Sequence, residues 1–327
     1  MLHAYTRQAA SFDIAAGDGT EPLPDDVVWL DMLSPSAEEE ARAEAMLGVD
    51  LPTRDELKDI EPSSRLYAED DTLYMTASLV SRWESGAAEL FDIGFVIVGN
   101  RLVTIRYGEP KAFRLFLAAA GRQGECGKTG SASLARLLET VVDRTAEILE
   151  VTSANMDRLS DVIFKRDMHH RNEHDTSKDL ESRLGEIAES QRTTAKVRES
   201  LSSLGRLVRF FAGTEAVRAN ADLQERCASL DQDIRSLGEH AGFISANVTF
   251  HLDATLGLIN LEQNKIIKIF SIAAVVLLPP TFIGTIYGMN FKDMPELSWA
   301  YGYPYALVLM VVVSAIPVVW FRKKGWF

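Results

Sequence analysis

The side chains best suited to chemistry in this chain sit in one short stretch, "TIYGMNFKDMPEL", Thr285–Leu297. Asn290, Asp293 and Glu296 recur there at steps of three, among Gly288, Met289 and Pro295. A plain connector needs only to be polar and to turn, so this composition points to a specified task. Carboxamide and carboxylate oxygens suit hard cations, which take oxygen ligands. Asn290 offers a neutral carboxamide, a weaker cation ligand than the carboxylates of Asp293 and Glu296. Asp293 and Glu296 add negative charge that concentrates cations near the same place.

This stretch lies between the two long uncharged runs of the chain. Ile269–Phe291 and Leu297–Phe321 hold no charged residue, and a bilayer core needs about 20 apolar residues per helix. Both runs are expected to span a membrane. Three basic residues in "FRKKGWF" follow the second run, and Lys265 and Lys268 flank the first on the same side. Positive flanks mark the cytoplasmic side, so both termini are expected inside, at an inner (cytoplasmic) membrane. Trp299, Tyr301 and Tyr303 supply aromatics for the outer interface, and only about residues 291–300 face outward.

The rest of the chain is of another character. Its 327 residues carry a formal charge of −13, with 46% hydrophobic and 25% charged residues. Six basic and two acidic residues lie from Asn264 onward, a balance of +4, which leaves −17 on residues 1–263. An acidic body disfavours nucleic acid as a partner and is compatible with cations. Cys126 and Cys227 lie far apart without metal-ligand spacing, so neither a disulfide framework nor a zinc site is indicated. The first residues lack the apolar core of a secretory signal, and the body is expected in the cytosol.

The pattern along that body is α+β: a cytosolic α/β domain, a long helical hairpin, and a stalk helix that continues into a two-helix transmembrane domain. Strands are expected at Val27–Met32, Thr72–Val80 and within Phe91–Tyr107, the last pair turning at Gly99-Asn100. Ser36 and Glu39 are spaced as a capping box ahead of "AEEEARAEAML". Leu134, Leu138, Val141, Ile148, Leu149, Met156, Leu159 and Ile163 form one helical stripe, and Leu180, Leu184, Ile187, Val197, Leu201, Leu204, Val208 and Phe211 a second. From about Thr214 no proline occurs before Pro279, while Leu223, Leu230, Ile234, Leu237, Phe243, Val248 and Leu252 keep helical spacing. The resulting boundaries are 1–125 for the α/β domain, 126–213 for the hairpin and 214–268 for the stalk. The first span takes 269–291, the outer loop 292–301, the second span 302–322 and the basic tail 323–327.

Two spans cannot enclose a water-filled path, so ion passage requires several chains around one axis. Steps of three and four pick out Asn264, Ile267, Ser271, Ala274, Leu278, Thr281, Thr285 and Gly288 on one face of the first span. Most are small or hydroxylated, which suits a pore wall and equally suits close helix packing in a membrane. The second span has no such stripe and reads as the lipid-facing helix. Pro279-Pro280 removes two backbone donors, so a bend is expected there. The tract "HHRNEHD", His169–Asp175, offers imidazoles that suit zinc, nickel or cobalt, or is simply a polar helix tip.

"IYGMNF" after an apolar helix, then "MPEL", then "GYP" opening a second span ahead of a basic end, resembles the CorA magnesium channel family. The likeness is nearly continuous over Leu258–Pro304; the N-terminal half shares element order and fragments such as "RLYAEDDTLYMTA". The resemblance implies a homopentamer in a lipid bilayer, with the first spans around a central pore and Gly288, Met289 and Asn290 as a selectivity ring. It implies a second hydrated-ion site at Asn264 and apolar constrictions at Ile267 and Leu278. A further family constriction falls on Phe270, off the stripe. Thr285 stands where some relatives have Gly. Of the outer-loop carboxylates, Glu296 matches the motif, while Asp293 is supported by its charge. Closure by cytosolic Mg2+ between subunits is also implied, with Asp59 at one sensor position and its partner near Asp231. The implied activity is Mg2+ influx without ATP, with Co2+ and Ni2+ passing as well; Mg2+ is cargo and regulator, and no catalytic cofactor is involved. A zinc-transporting branch of the family and a non-conducting membrane-anchored metal sensor are the alternatives. No Gly-rich phosphate loop, catalytic triad or zinc motif points to an enzyme.

Overall fold

The computed structural model describes residues 1–8, 11–13, 23–59, 61–82, 87–123, 125–165, 176–290 and 294–325. These form two compact units, Met1–Leu252 and Asp253–Phe327.

The first unit is built on a seven-stranded sheet. Its strands are β1 (Leu2–Thr6), β2 (Ser11–Asp13), β3 (Val27–Leu33), β4 (Leu66–Glu69), β5 (Thr72–Arg82), β6 (Ala88–Val98) and β7 (Arg101–Arg106), in the spatial order β2-β1-β3-β7-β6-β5-β4. Among the described strands, only β3 and β7 pair in parallel. Both are buried along nearly their whole length, as expected for central strands covered on both faces. The β6–β7 hairpin turns at Gly99-Asn100, where Gly99 has φ 55°, a left-handed conformation that glycine adopts without a Cβ clash.

Helix α1 (Ala37–Leu47) opens with the reciprocal cap that its sequence calls for. Glu39 N–H donates to Ser36 Oγ at 3.3 Å, and Ser36 N–H donates to Glu39 Oε2 at 2.9 Å. Ala43 of α1 and Leu57, from a short 3-10 turn over Glu56–Lys58, join the sheet residues Leu30, Met32, Val96, Val103 and Ile105 in one apolar cluster. A four-residue helix, α2 (Pro62–Arg65), then leads into β4.

Trp29 is fully buried, with Phe113 and Phe116 of α3 (Lys111–Gln123) at ring-centroid distances of 6.2 and 5.4 Å. Helices α4 (Gly130–Lys165) and α5 (Thr176–Ala212) pack on each other and on the sheet. Their apolar stripes face inward: Leu134, Leu138, Ile148 and Leu159 on α4, and Ile187, Val197, Leu204 and Phe211 on α5, are all buried. The side chain of Ile163 and the His169–Asp175 tract lie outside the described residues.

The contact between α5 and β5 includes two hydrogen bonds from strand to helix. β4 pairs with β5 only as far as Met75. Beyond it, Ser78 N–H donates to Ser203 Oγ and Val80 N–H to Ser200 Oγ, each at 3.1 Å. Two serines one helical turn apart thereby satisfy donors that a neighbouring strand would otherwise take.

The long helix begins later than its composition suggests. A short helix α6 (Glu215–Arg218) intervenes, and α7 runs Ala221–Tyr287. Asn220 makes the difference, because its side-chain oxygen accepts from Asp222 N–H at 3.1 Å and starts a new helix there. Within the first unit, Leu223, Cys227, Leu230, Ile234, Ala241, Ile244 and Val248 are the buried seam of α7. Phe243 and Leu252, expected on that seam, are 62% and 38% exposed. Phe243 is one residue from Ile244, hence about 100° around the helix from it.

Candidate functional site

The second unit contains the last part of α7, a 3-10 turn over Pro295–Ser298, and α8 (Gly302–Lys323). α7 and α8 each contain a stretch long and apolar enough to cross a membrane, with mean hydropathy 2.2. α7 remains helical through Pro279 and Pro280.

One face of α7 is turned to α8. Ile272 is 8% exposed, Val276, Pro280, Ile283, Gly284 and Tyr287 are half-buried, and a Cβ at Gly284 would touch Met310 at 3.4 Å. An apolar cleft between the helices is lined by Val276 and Pro280 with Met310, Ser314 and Val318. The stripe Asn264, Ile267, Ser271, Ala274, Leu278, Thr281, Thr285 and Gly288 is exposed throughout. At about 100° per residue, this stripe centres roughly opposite the face that α8 covers. Among the described residues of a single copy, nothing covers this small and hydroxylated face.

Thr281 and Thr285 donate their hydroxyls to the carbonyls of Leu277 and Thr281, at 2.7 and 2.9 Å. Each hydroxyl oxygen keeps acceptor capacity on the exposed face. Ile267 and Leu278 are 62% and 65% exposed, and Phe270 is 72% exposed, about 60° from Ile267 around the helix. Phe270 is thus as open as the stripe in one copy.

The helix stops at the first residue of the Gly-Met-Asn triplet. Gly288 N–H still donates to Gly284 O at 3.0 Å and Met289 N–H to Ile286 O at 3.2 Å, and Asn290 has left the helix. All three residues are exposed. A Cβ on Gly288 would lie 3.1 Å from Gly284 O, closer than ordinary van der Waals contact. Asp293 lies outside the described residues. Glu296 is exposed in the 3-10 turn, and its carbonyl passes so close to Gly302 that a Cβ there would sit 2.1 Å away. The Trp299 ring lies against that of Tyr305, tilted by 54° with centroids 5.7 Å apart, which ties this turn to the start of α8.

The carboxylates expected to sense cytosolic cation have different neighbours within one chain. Asp59 is exposed and shares a cleft with Glu56, Ser64, Tyr67 and Tyr74. Tyr67 and Tyr74 stack at 4.7 Å. Burial, then the charges of Glu56 and Glu69, push the Tyr67 hydroxyl above its ordinary pKa. Asp231 instead pairs with Arg235 on its own helix and with Arg209 of α5 at 3.6 Å. The Arg235 pairing is visible in sequence as an i, i+4 spacing; Arg209 comes from another helix and gives no such sign. Asp143 on α4 has its pKa raised by burial and by the nearby charges of Asp233 and Glu147. Among the described residues, no group of three or more His, Cys, Asp or Glu side chains is placed to hold a metal within one copy.

Residues 24–323 match the family described as "CorA-like Mg2+ transporter protein". The chain belongs to this family. It is 34% identical over 326 residues to the magnesium transport protein CorA of Escherichia coli K12, with 100% of each chain covered. It is 35% identical over 301 residues to the CorA protein of Salmonella typhimurium, with 92% of each covered. The CorA magnesium transporter from Methanocaldococcus jannaschii shares its fold, with a TM-score of 0.74 at 20% identity over 100% of this chain and 99% of that one. The cytoplasmic domain of ZntB from Vibrio parahaemolyticus is also similar, with a TM-score of 0.58 at 13% identity over 80% of this chain and 98% of that one. As a member of the CorA-like family the chain is a membrane protein, and α7 and α8 supply its membrane-crossing helices.

Proposed function

We propose that this protein conducts Mg2+ into the cell through a pore lined by the Asn264–Gly288 face of α7. Five copies close the ring, as the family resemblance implies, and α8 faces lipid. The observation that carries this reading is the exposed small and hydroxylated stripe of α7, roughly opposite the face covered by α8. Gly288, Met289 and Asn290 form the outer ring, where carboxamides hold a hydrated ion through its water shell. Glu296 and Asp293 raise the local cation concentration. Asn264 makes an inner hydrated site, and Ile267 and Leu278 form apolar constrictions that close by dewetting. Co2+ and Ni2+ pass by the same route.

An inside-negative potential favours entry by about 2.3 kcal/mol per charge per 100 mV, and by about twice that for a divalent ion. No ATP is needed. Closure follows when cytosolic Mg2+ bridges the acidic bodies of neighbouring copies at Asp59 and Asp231, with both termini in the cytoplasm. The support for this part is the charge of −17 on residues 1–263, which repels itself between copies until divalents screen it.

The test is Mg2+ influx into liposomes carrying the full chain, under an inside-negative potential, for wild type and Asn290→Ala. Influx in the wild type and its collapse in the variant are the expected result. No conduction by either at low internal Mg2+ overturns the channel reading in favour of a sensor. Zn2+ uptake without Mg2+ uptake reassigns the cargo.

A further inference from the structure

The loop that carries Asp59 is held by an arginine that comes from outside it. Arg65, the last residue of α2, has a side chain only 12% exposed. Its Nε–H donates to Asp59 O, and its Nη2–H donates to Leu57 O at 3.3 Å. The far side of the same guanidinium is fixed to the sheet. Nη2 lies 2.7 Å from Asp92 Oδ1, and Nη1–H donates to Ser78 Oγ at 3.2 Å. The Ser78 hydroxyl in turn donates to Asp92 Oδ1 at 2.6 Å.

We infer that Arg65 is the positioning residue of the cytosolic cation sensor. Its planar fork sets where the Asp59 backbone, and hence the Asp59 carboxylate, stands for a divalent cation. This inference rests on the reading above that Asp59 senses Mg2+. An exposed carboxylate on a free loop must be ordered when it joins a second ligand around Mg2+, and that ordering weakens binding. Arg65 supplies the order beforehand. Asp92 balances the guanidinium charge, so the clamp holds the loop through its carbonyls and leaves the Asp59 carboxylate to the cation.

The clamp also refers Asp59 to α5. Ser78, which holds Arg65, is bonded through its N–H to Ser203 of α5, and Arg209, six residues further along α5, pairs with Asp231. Six residues of helix span about 9 Å. Both proposed sensor carboxylates are therefore tied to one short segment of a single rigid helix. Lysine cannot replace Arg65, because one ammonium does not reproduce a fork that meets two carbonyls, a carboxylate and a hydroxyl together.

The test is the internal Mg2+ concentration that half-closes influx, measured on the full chain in liposomes for wild type, Arg65→Lys, Asp59→Asn and the double variant. Arg65→Lys is expected to conduct like wild type without internal Mg2+ and to need about tenfold more Mg2+ to close, the scale of losing a partner that orients a metal ligand. Asp59→Asn shifts in the same direction, and the double variant shifts no further than the larger single one. A purely structural role would instead lower open influx and melting temperature together. A wild-type closing point in Arg65→Lys, with Asp59→Asn shifted, overturns the role of Arg65 and leaves Asp59 standing. A wild-type closing point in Asp59→Asn removes both. Additive shifts in the double variant overturn the claim that Arg65 acts through Asp59. Should Arg65→Lys fail to fold, Ser78→Ala takes its place with a smaller shift in the same direction, and an unshifted Ser78→Ala overturns the inference.

Discussion

Arg106 grips Asp31 at two points inside the sheet, with Nη2 2.7 Å from Oδ2 and Nε 2.9 Å from Oδ1. Thr104 donates its hydroxyl to the same carboxylate at 2.7 Å, and Trp29 Nε1–H donates to Thr104 at 2.9 Å. Asp31 is fully buried. Removing one partner of a buried pair strands the other charge, at about 3–5 kcal/mol. Asp31→Ala is expected to lower stability by that amount in denaturant unfolding of the detergent-solubilised chain. An Asp31→Leu, Arg106→Met double replacement should recover most of it.

Asn290→Asp tests the argument for a neutral ring. Carboxylates at the mouth should lower the half-saturating Mg2+ concentration and slow release, so maximal influx falls by about tenfold or more, since a conducting site must bind weakly enough to let go. Unchanged maximal influx would mean that Asn290 does not meet the ion.

Leu278→Ser tests the apolar constriction. A hydroxyl in place of an isobutyl group keeps the segment wet, so liposomes loaded with enough Mg2+ to shut the wild type should continue to conduct. Closure at the wild-type Mg2+ concentration would locate the gate elsewhere along α7.

Burial raises the Cys227 thiol from 9.0 to about 11, with the Glu139 charge adding to the effect. The folded chain then keeps this proton over a pH range in which the unfolded chain loses it. The associated stability is complete below pH 9 and is lost as pH rises toward about 11. Cys227→Ala should flatten that decline in melts taken across this window. At pH 8, alkylation of Cys227 should be slow in the folded chain and fast in denaturant.

Much of this architecture is legible in the residues themselves. Val27–Leu33 and Thr72–Arg82 are strands where their β-branched and aromatic residues place them, and the Gly99-Asn100 hairpin turns where its turn chemistry does. The Ser36–Glu39 cap forms as spaced. These features depend on neighbours within a few residues. β1, β2 and β4 escaped because they are three to five residues long and take their order from partners elsewhere in the sheet. The parallel β3–β7 pairing likewise joins segments about seventy positions apart. At the candidate site, the stripe on α7 follows from helical period alone. The Arg65 clamp does not, because its partners Leu57, Asp59, Ser78 and Asp92 meet only after the sheet has formed. Ser200 and Ser203 read as ordinary polar positions on a helix, and only the early end of β4 gives them something to bond.

That serine-sealed margin of β5 has a consequence for how the body can move and how it can fail. Bare N–H groups beyond the end of β4 would form an adhesive edge, open to a strand from another chain. α5 acts as the cover on that edge. A motion that peeled this part of α5 away would expose it, so rearrangement is confined to sliding along the sheet or to parts of the hairpin beyond Ser200 and Ser203. Variants that weaken these two bonds should therefore betray themselves first as clumping on heating, before any loss of transport is seen.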